Sequence, residues 1–197
     1  TQAYREKGYY RDETLVSWLT ENAAKLGENP AIISAAGNKT YAELAIDVSR
    51  LAAGLQALGL KKGSIIAVQL PNIPEFIISY LAIASIGGVM QTLHMPYQRS
   101  ELEYLLNDSA ASAIICLSKF KESSPASTLL ALADSLKNPL KVICLGAQIE
   151  TANSFNDLIN NTHALIKESI YPTDPFVLLY TSGTTSMPKG VPHRYNN

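Results

Sequence analysis

Along the chain, apolar positions change rhythm near residue 64. Before it, helical spacing dominates. Leu15, Trp18, Leu19, Ala23 and Leu26 form one helical stripe, which Gly27 and Pro30 bring to a stop. Ala31-Ile-Ile-Ser34 predicts a strand, and residues 36–39 a turn in which Gly37 and Asn38 tolerate positive φ. Thr40-Tyr-Ala-Glu43 predicts a capping box, with the Thr40 hydroxyl accepting from a first-turn amide and Glu43 reaching back. The helix behind it carries Leu44, Val48, Leu51, Leu55 and Leu58, then stops at Gly59. From residue 64 onward, short apolar runs alternate with helices. Ser64–Leu70, Val89–Thr92, Ala113–Leu117, Lys141–Leu145 and Phe176–Thr181 predict strands. Glu75–Ile86, Ser100–Asn107, Thr128–Leu136 and Ser154–Leu165 predict helices. Pro74 stands at a helix start, where its missing N–H costs nothing, and Ser100-Glu-Leu-Glu103 reads as a second capping box. Lys119–Ala126 is a polar loop and Ile170–Pro175 a proline-punctuated connector. Buried strands alternating with helices imply an α/β fold, a largely parallel sheet covered by helices on both faces.

Composition narrows the class. The 197 residues are 47% hydrophobic, enough for one sizeable core or a large piece of a bigger domain. No internal repeat or clean domain boundary interrupts them. Sixteen basic against 17 acidic residues leave a net charge of −1, so no basic surplus points to nucleic acid or an anionic membrane as partner. Cys116 and Cys144 each sit inside an apolar run and read as buried reduced thiols. The polar N-terminus lacks the apolar core of a signal peptide. The longest apolar stretch, Phe76–Met90, is broken by Ser79, Ser85, Gly87 and Gly88 and falls short of the ~20 residues of a membrane span. A cytoplasmic protein without an integral membrane segment is expected.

The chemistry concentrates in residues 180–190, Tyr-Thr-Ser-Gly-Thr-Thr-Ser-Met-Pro-Lys-Gly. Around Gly183 the backbone can turn several N–H groups toward one point, a nest for an anion. Thr181, Ser182, Thr184, Thr185 and Ser186 add hydroxyl donors, and Lys189 a compact positive charge on a long stem. Many donors, one cation and no bulky side chain suit a polyphosphate. The pattern is not a Walker A loop, which places glycine before the lysine and Ser/Thr after it; here Pro188 precedes Lys189 and Gly190 follows. A P-loop kinase or ATPase is therefore a poor reading.

Tyr180-Thr-Ser-Gly-Thr-Thr185 followed by Met187-Pro-Lys-Gly-Val191 closely resembles the phosphate-binding signature of the adenylate-forming superfamily: acyl- and aryl-CoA synthetases, luciferases and peptide-synthetase adenylation domains. Ser186 departs from the glycine usual there. If that position requires positive φ, serine costs ~1–2 kcal/mol. Weaker blocks fall in the family's order: Thr40-Tyr-Ala-Glu-Leu44, Arg50-Leu-Ala-Ala-Gly-Leu55, Ala67-Val-Gln-Leu-Pro-Asn72, Pro74-Glu-Phe76 and Gly87-Gly88, with His193 and Asn197 beyond the loop. Tyr4-Arg-Glu-Lys-Gly-Tyr9 and Gln98-Arg-Ser-Glu-Leu102 look most like aryl-acid AMP ligases and medium-chain or aryl acyl-CoA ligases.

The resemblance implies that residues 1–197 are the N-terminal part of the large AMP-binding domain. It implies ATP-dependent activation of a medium-chain or aryl carboxylic acid. Transfer to CoA or to a carrier-protein phosphopantetheine thiol follows, with Mg²⁺ accompanying the ATP. Thr181, Ser182, Gly183, Thr184, Thr185, Ser186 and Lys189 would hold the β- and γ-phosphates, Lys189 acting catalytically by neutralising charge. No metal ligand is expected among these residues. The family's later motifs, including the catalytic lysine of its C-terminal domain, are not found in residues 1–197, so this piece alone is expected not to turn over. A nucleotide-binding or interaction module without turnover is the alternative. His94, His193, Asn72, Trp18, Tyr9 and Tyr10 read as structural residues rather than ligands.

Overall fold

Capping chemistry sets where the helices begin in the structure, a computed structural model that describes residues 2–9, 12–35, 37–181 and 187–196. A short helix α1 (Gln2–Glu6) precedes α2 (Leu15–Leu26). Thr14 caps α2: its Oγ1 accepts from the Ser17 N–H at 3.1 Å while its own N–H donates to Ser17 Oγ at 2.9 Å. Strands β1 (Pro30–Ser34) and β2 (Gly37–Thr40) pair as an antiparallel hairpin. Residues 37–39, expected to lie in a turn, are therefore strand; their backbone groups find partners across the hairpin, and Lys39 reaches Asp47 at 2.6 Å.

Helix α3 (Tyr41–Ala57) opens with the predicted box: Thr40 N–H donates to Glu43 Oε2 at 2.8 Å and Glu43 N–H to Thr40 Oγ1 at 3.2 Å. The Thr40 N–H, then its hydroxyl, holds the Glu43 carboxyl below the usual range. β3 (Ile65–Gln69), α4 (Pro74–Ser85), β4 (Val89–Thr92), α5 (Arg99–Ser109), β5 (Ala113–Leu117), α6 (Pro125–Ala133) and β6 (Lys141–Leu145) follow in strict alternation. The α5 box sits two residues earlier than predicted, because Glu101 Oε2 accepts from Gln98 N–H at 3.0 Å and takes the Ser100 hydroxyl as a second donor. α6 also starts early, on Pro125, with fixed φ at a position where no donor is needed.

After β7 (Asn153–Ser154), α7 (Phe155–Ile159) ends well before the predicted Leu165. Asn161 competes with the helical ladder there. Asn161 Oδ1 accepts from His163 N–H at 2.7 Å, and its Nδ2 donates to Arg50 O at 2.8 Å. The irregular connector beyond is held by side chains of the preceding elements. Gln56 exchanges two bonds with the Ile166 backbone (2.8 and 2.9 Å), and Lys62 Nζ meets Ser169 O at 2.6 Å and Asp174 at 2.7 Å. The chain closes on β8 (Pro175–Thr181) and β9 (Lys189–Arg194).

Seven strands form one sheet in the order β7-β6-β5-β3-β4-β8-β9, parallel throughout except for the antiparallel β8–β9 pair at one edge. Alternate residues feed opposite cores. Ile66, Val68, Met90, Ala113, Ile115 and Ile143 pack under α2, α3, α4 and α7. Ala67, Ile114, Cys116, Val142 and Cys144 pack under α5 and α6. Cys116 and Cys144 are Cα partners on adjacent strands, buried and unbonded; burial pushes both thiols up. Trp18 meets Tyr41 edge-on at 6.0 Å, whereas Tyr9 is exposed, its ring beside that of Tyr4 and its N–H donating to the Tyr4 carbonyl, a departure from the core packing expected of it. Tyr10 lies outside the described residues. Among the described residues no helix is long and apolar enough to cross a membrane.

Candidate functional site

Ligands of open parallel sheets gather beyond the carboxyl ends of the strands, and β8 delivers the polyphosphate-type segment there. β8 runs parallel to β4, with Gln91 beside Leu178, and ends at Thr181. The chain returns at Lys189, the register partner of Thr181. The strand pairing thus brings together Thr181 and Lys189, eight residues apart in sequence, at the base of one hairpin, both exposed. The other predicted phosphate contacts, Ser182, Gly183, Thr184, Thr185 and Ser186, lie outside the described residues.

The pleat sorts the hairpin into two faces. Thr181, Leu179, Lys189, Val191 and His193 share one; Tyr180, Leu178, Gly190 and Pro192 share the other. His193 stands four residues along β9 from Lys189, about 13 Å at strand rise, and is half-buried opposite Val177. That separation supports its structural role. His94 likewise serves packing: its carbonyl accepts from Gln69 Nε2 at 3.1 Å, and its ring meets Tyr97 edge-on.

On the second face, helix α5 grips both flanks of the segment. Tyr180 Oη donates to Asp108 Oδ2 at 2.7 Å. Tyr104 Oη donates to the Pro188 carbonyl at 2.8 Å. Burial, followed by the Asp108 carboxylate, drives the Tyr180 phenol far up, so it remains a donor. Beside these contacts a cleft of about 300 Å³ opens between α5 and the returning chain, lined by Tyr97, Ser100, Glu101, Tyr104, Leu105, Met187 and Pro188.

The strand β9 and these α5 contacts were absent from the sequence reading. Lys189–Arg194 has one β-branched residue, plus glycine and proline, and forms a strand only because it lies at the sheet edge, where proline is tolerated. The available signal for α5 was the four-residue spacing of Tyr104 and Asp108, which places both on one helix face.

Known proteins carry the same architecture. A long-chain-fatty-acid–CoA ligase of Bacillus subtilis is 33% identical over 208 residues, covering 94% of this chain and 37% of the relative. 4-Coumarate–CoA ligase 2 of Solanum tuberosum is 31% identical over 181 residues, covering 90% of this chain and 32% of the relative. The solved apo structure of Mycobacterium smegmatis MbtA superposes with a TM-score of 0.89 at 29% identity, over 99% of this chain and 36% of that one. The chain thus spans about a third of the length of the relatives it matches. The AMP-binding enzyme family matches residues 19–197, nearly the whole length, with its phosphate-type segment at the carboxyl end of β8, and the chain belongs to that family.

Proposed function

We propose that the protein carrying this chain activates a carboxylic acid with ATP and passes the acyl group to a thiol. The observation that supports this most is the hairpin base. A segment rich in hydroxyls and glycine leaves the carboxyl end of a parallel strand, and the chain comes back with Lys189 directly opposite Thr181. In the first half-reaction a carboxylate oxygen attacks the α-phosphorus of ATP. The bond from that phosphorus to the β-phosphate oxygen breaks, giving acyl-adenylate and pyrophosphate. A thiolate then attacks the acyl carbonyl and AMP leaves. Such chemistry rests mainly on positioning and on donors aimed at developing charge.

In this reading Lys189 neutralises charge on the departing pyrophosphate. Thr181, Ser182, Thr184 and Thr185 donate hydroxyls to phosphate oxygens, Ser186 contributes to the cradle through its backbone, and Gly183 lets the backbone approach. Residues 1–197 form the N-terminal part of an AMP-binding domain. The thiol is CoA or a carrier phosphopantetheine; the names of the two ligase relatives favour CoA. A relative named for a medium-chain fatty acid and one named for 4-coumarate, an aryl acid, support assigning the substrate to the medium-chain or aryl class. Mg²⁺ would accompany the ATP. Among the described residues no group of three or more His, Cys, Asp or Glu side chains could hold a cation, so no step here passes through it.

ATP–pyrophosphate exchange with a panel of aryl, medium-chain and long-chain acids tests the proposal. Exchange dependent on one acid class is expected, and Lys189→Ala should slow it by about 10²-fold, the scale of losing one charge-directed contact, without moving the unfolding midpoint. Nucleotide binding without exchange for any acid would replace the ligase reading with a binding module. Equal rates for mutant and parent would remove Lys189 from the mechanism.

A further inference from the structure

Tyr104 and Asp108 are one helical turn apart on α5, and each holds a different end of the phosphate-type segment. Asp108 accepts from Tyr180, the residue before Thr181; Tyr104 donates to the carbonyl of Pro188, the residue before Lys189. The strand pairing joins Thr181 to Lys189, and α5 bridges the same junction from the opposite face. The bridge is itself anchored. Gln91, fully buried on β4, donates from Nε2 to Leu105 O at 3.1 Å and accepts from Ser109 Oγ at 2.8 Å. Gln91 is also the register partner of Leu178 on β8. One buried amide thus fixes α5 against the sheet at the strand next to the one that bears the segment. Gly190 completes the arrangement: a Cβ there would stand 3.2 Å from Tyr180 Cζ and 3.1 Å from Leu178 Cδ1, so glycine leaves room for the Tyr180 ring on its way to Asp108.

We propose that Tyr104 and Asp108 are positioning residues for nucleotide binding, fixing Thr181 and Lys189 through their neighbours Tyr180 and Pro188, from the opposite face of the hairpin. The inference rests on the nucleotide reading above. Donors held in place before the ligand arrives need not be ordered at its expense, so loosening either flank weakens ATP binding without touching ATP. Tyr180 and Tyr104 act through the strand ends.

The test uses the protein carrying this chain, with ATP binding by calorimetry and exchange kinetics varied in ATP and in the acid separately. Tyr104→Phe and Tyr180→Phe each remove one hydroxyl. Each is expected to raise Kd and KM for ATP about fivefold, the scale of one hydrogen bond, while KM for the acid stays at the parent value and the unfolding midpoint falls by no more than about 2–4 °C. Asp108→Ala should match them. Asp108→Asn, whose amide oxygen still accepts from Tyr180, should restore near-parent ATP constants. Tyr41→Phe, a hydroxyl deletion at the start of α3, controls for general effects and should change nothing. Parent-like ATP constants in both phenylalanine variants, or equal losses for ATP and acid, overturn the positioning role and leave the ligase reading intact. A parent that binds no ATP overturns both.

Discussion

Helix α3 meets α7 at Gly54, and the fit leaves no room for a side chain. A Cβ built there lies 2.6 Å from Leu158 O, 2.9 Å from Leu158 Cβ and 3.0 Å from Leu158 Cα. Two of those atoms are backbone and the third is fixed to it, so no rotamer change relieves the contact. Gly54→Ala must push α7 away from α3 by most of an ångström. Overpacking of this kind costs ~1–3 kcal/mol. Alanine returns ~1 kcal/mol through its better helix propensity in a helix interior. The net expectation is a loss of up to ~2 kcal/mol, which for a chain of this size lowers the midpoint by up to roughly 8 °C at 2–4 °C per kcal/mol. Thermal unfolding followed by circular dichroism measures it. The pairing with Leu158→Ala sharpens the test: that change keeps the offending Cα, Cβ and O, so the double variant should be no more stable than Gly54→Ala alone. A midpoint at or above that of the parent for Gly54→Ala would show that propensity decides at this position and that the α3–α7 contact is not tight.

Further outcomes are expected. Asp174 is pushed up by burial, but the hydrogen bond from Lys62, the Tyr171 N–H and the Lys62 charge outweigh this and hold it below its ordinary 3.8. A carboxylate with a lowered folded-state pKa adds stability that is present above its unfolded pKa and lost as pH falls through the folded one. Asp174→Asn should therefore cost no more than ~1 kcal/mol at neutral pH, and the stability curves of variant and parent should converge below the ordinary aspartate value; parallel curves across that range would remove the pair from the acid response. Buried, high-pKa Cys116 and Cys144 should resist a thiol reagent such as DTNB in the native state and both react after denaturation; fast native labelling of either would contradict the packing. Ser186→Gly should leave KM for ATP near that of the parent, since glycine accepts any φ, and a large rise would mean that the hydroxyl is used.

Much of this fold was readable where local chemistry and burial agreed. The Thr40–Glu43 box, the Leu44–Leu58 stripe and the β3–β6 alternation need only short-range pattern, and each stands where expected. Where the helix starts slipped, at α5 and α6, the cause was local capping chemistry; the short α7 and the missed β9 came from long-range partners. Asn161 spends its amide on Arg50, more than a hundred residues away, and ends α7 early. Strand β9 borrows its regularity from β8, not from its own residues. At the site, the sequence marked Thr181 and Lys189 through residue type, and the sheet then placed them opposite each other. It did not mark Tyr104 or Asp108, because ordinary helical residues become site supports only through what lies across from them.

The connector between α7 and β8 carries a consequence of its own. Surface stretches without regular structure usually accept added or lost residues. Here Gln56 grasps Ile166 and Lys62 grasps Ser169, two grips set at fixed spacing by the end of α3 and the turn after it. Inserting a single residue between 166 and 169 would put the second grip out of phase with the first. This irregular ribbon is therefore as strictly measured as a strand, and its length is part of the architecture.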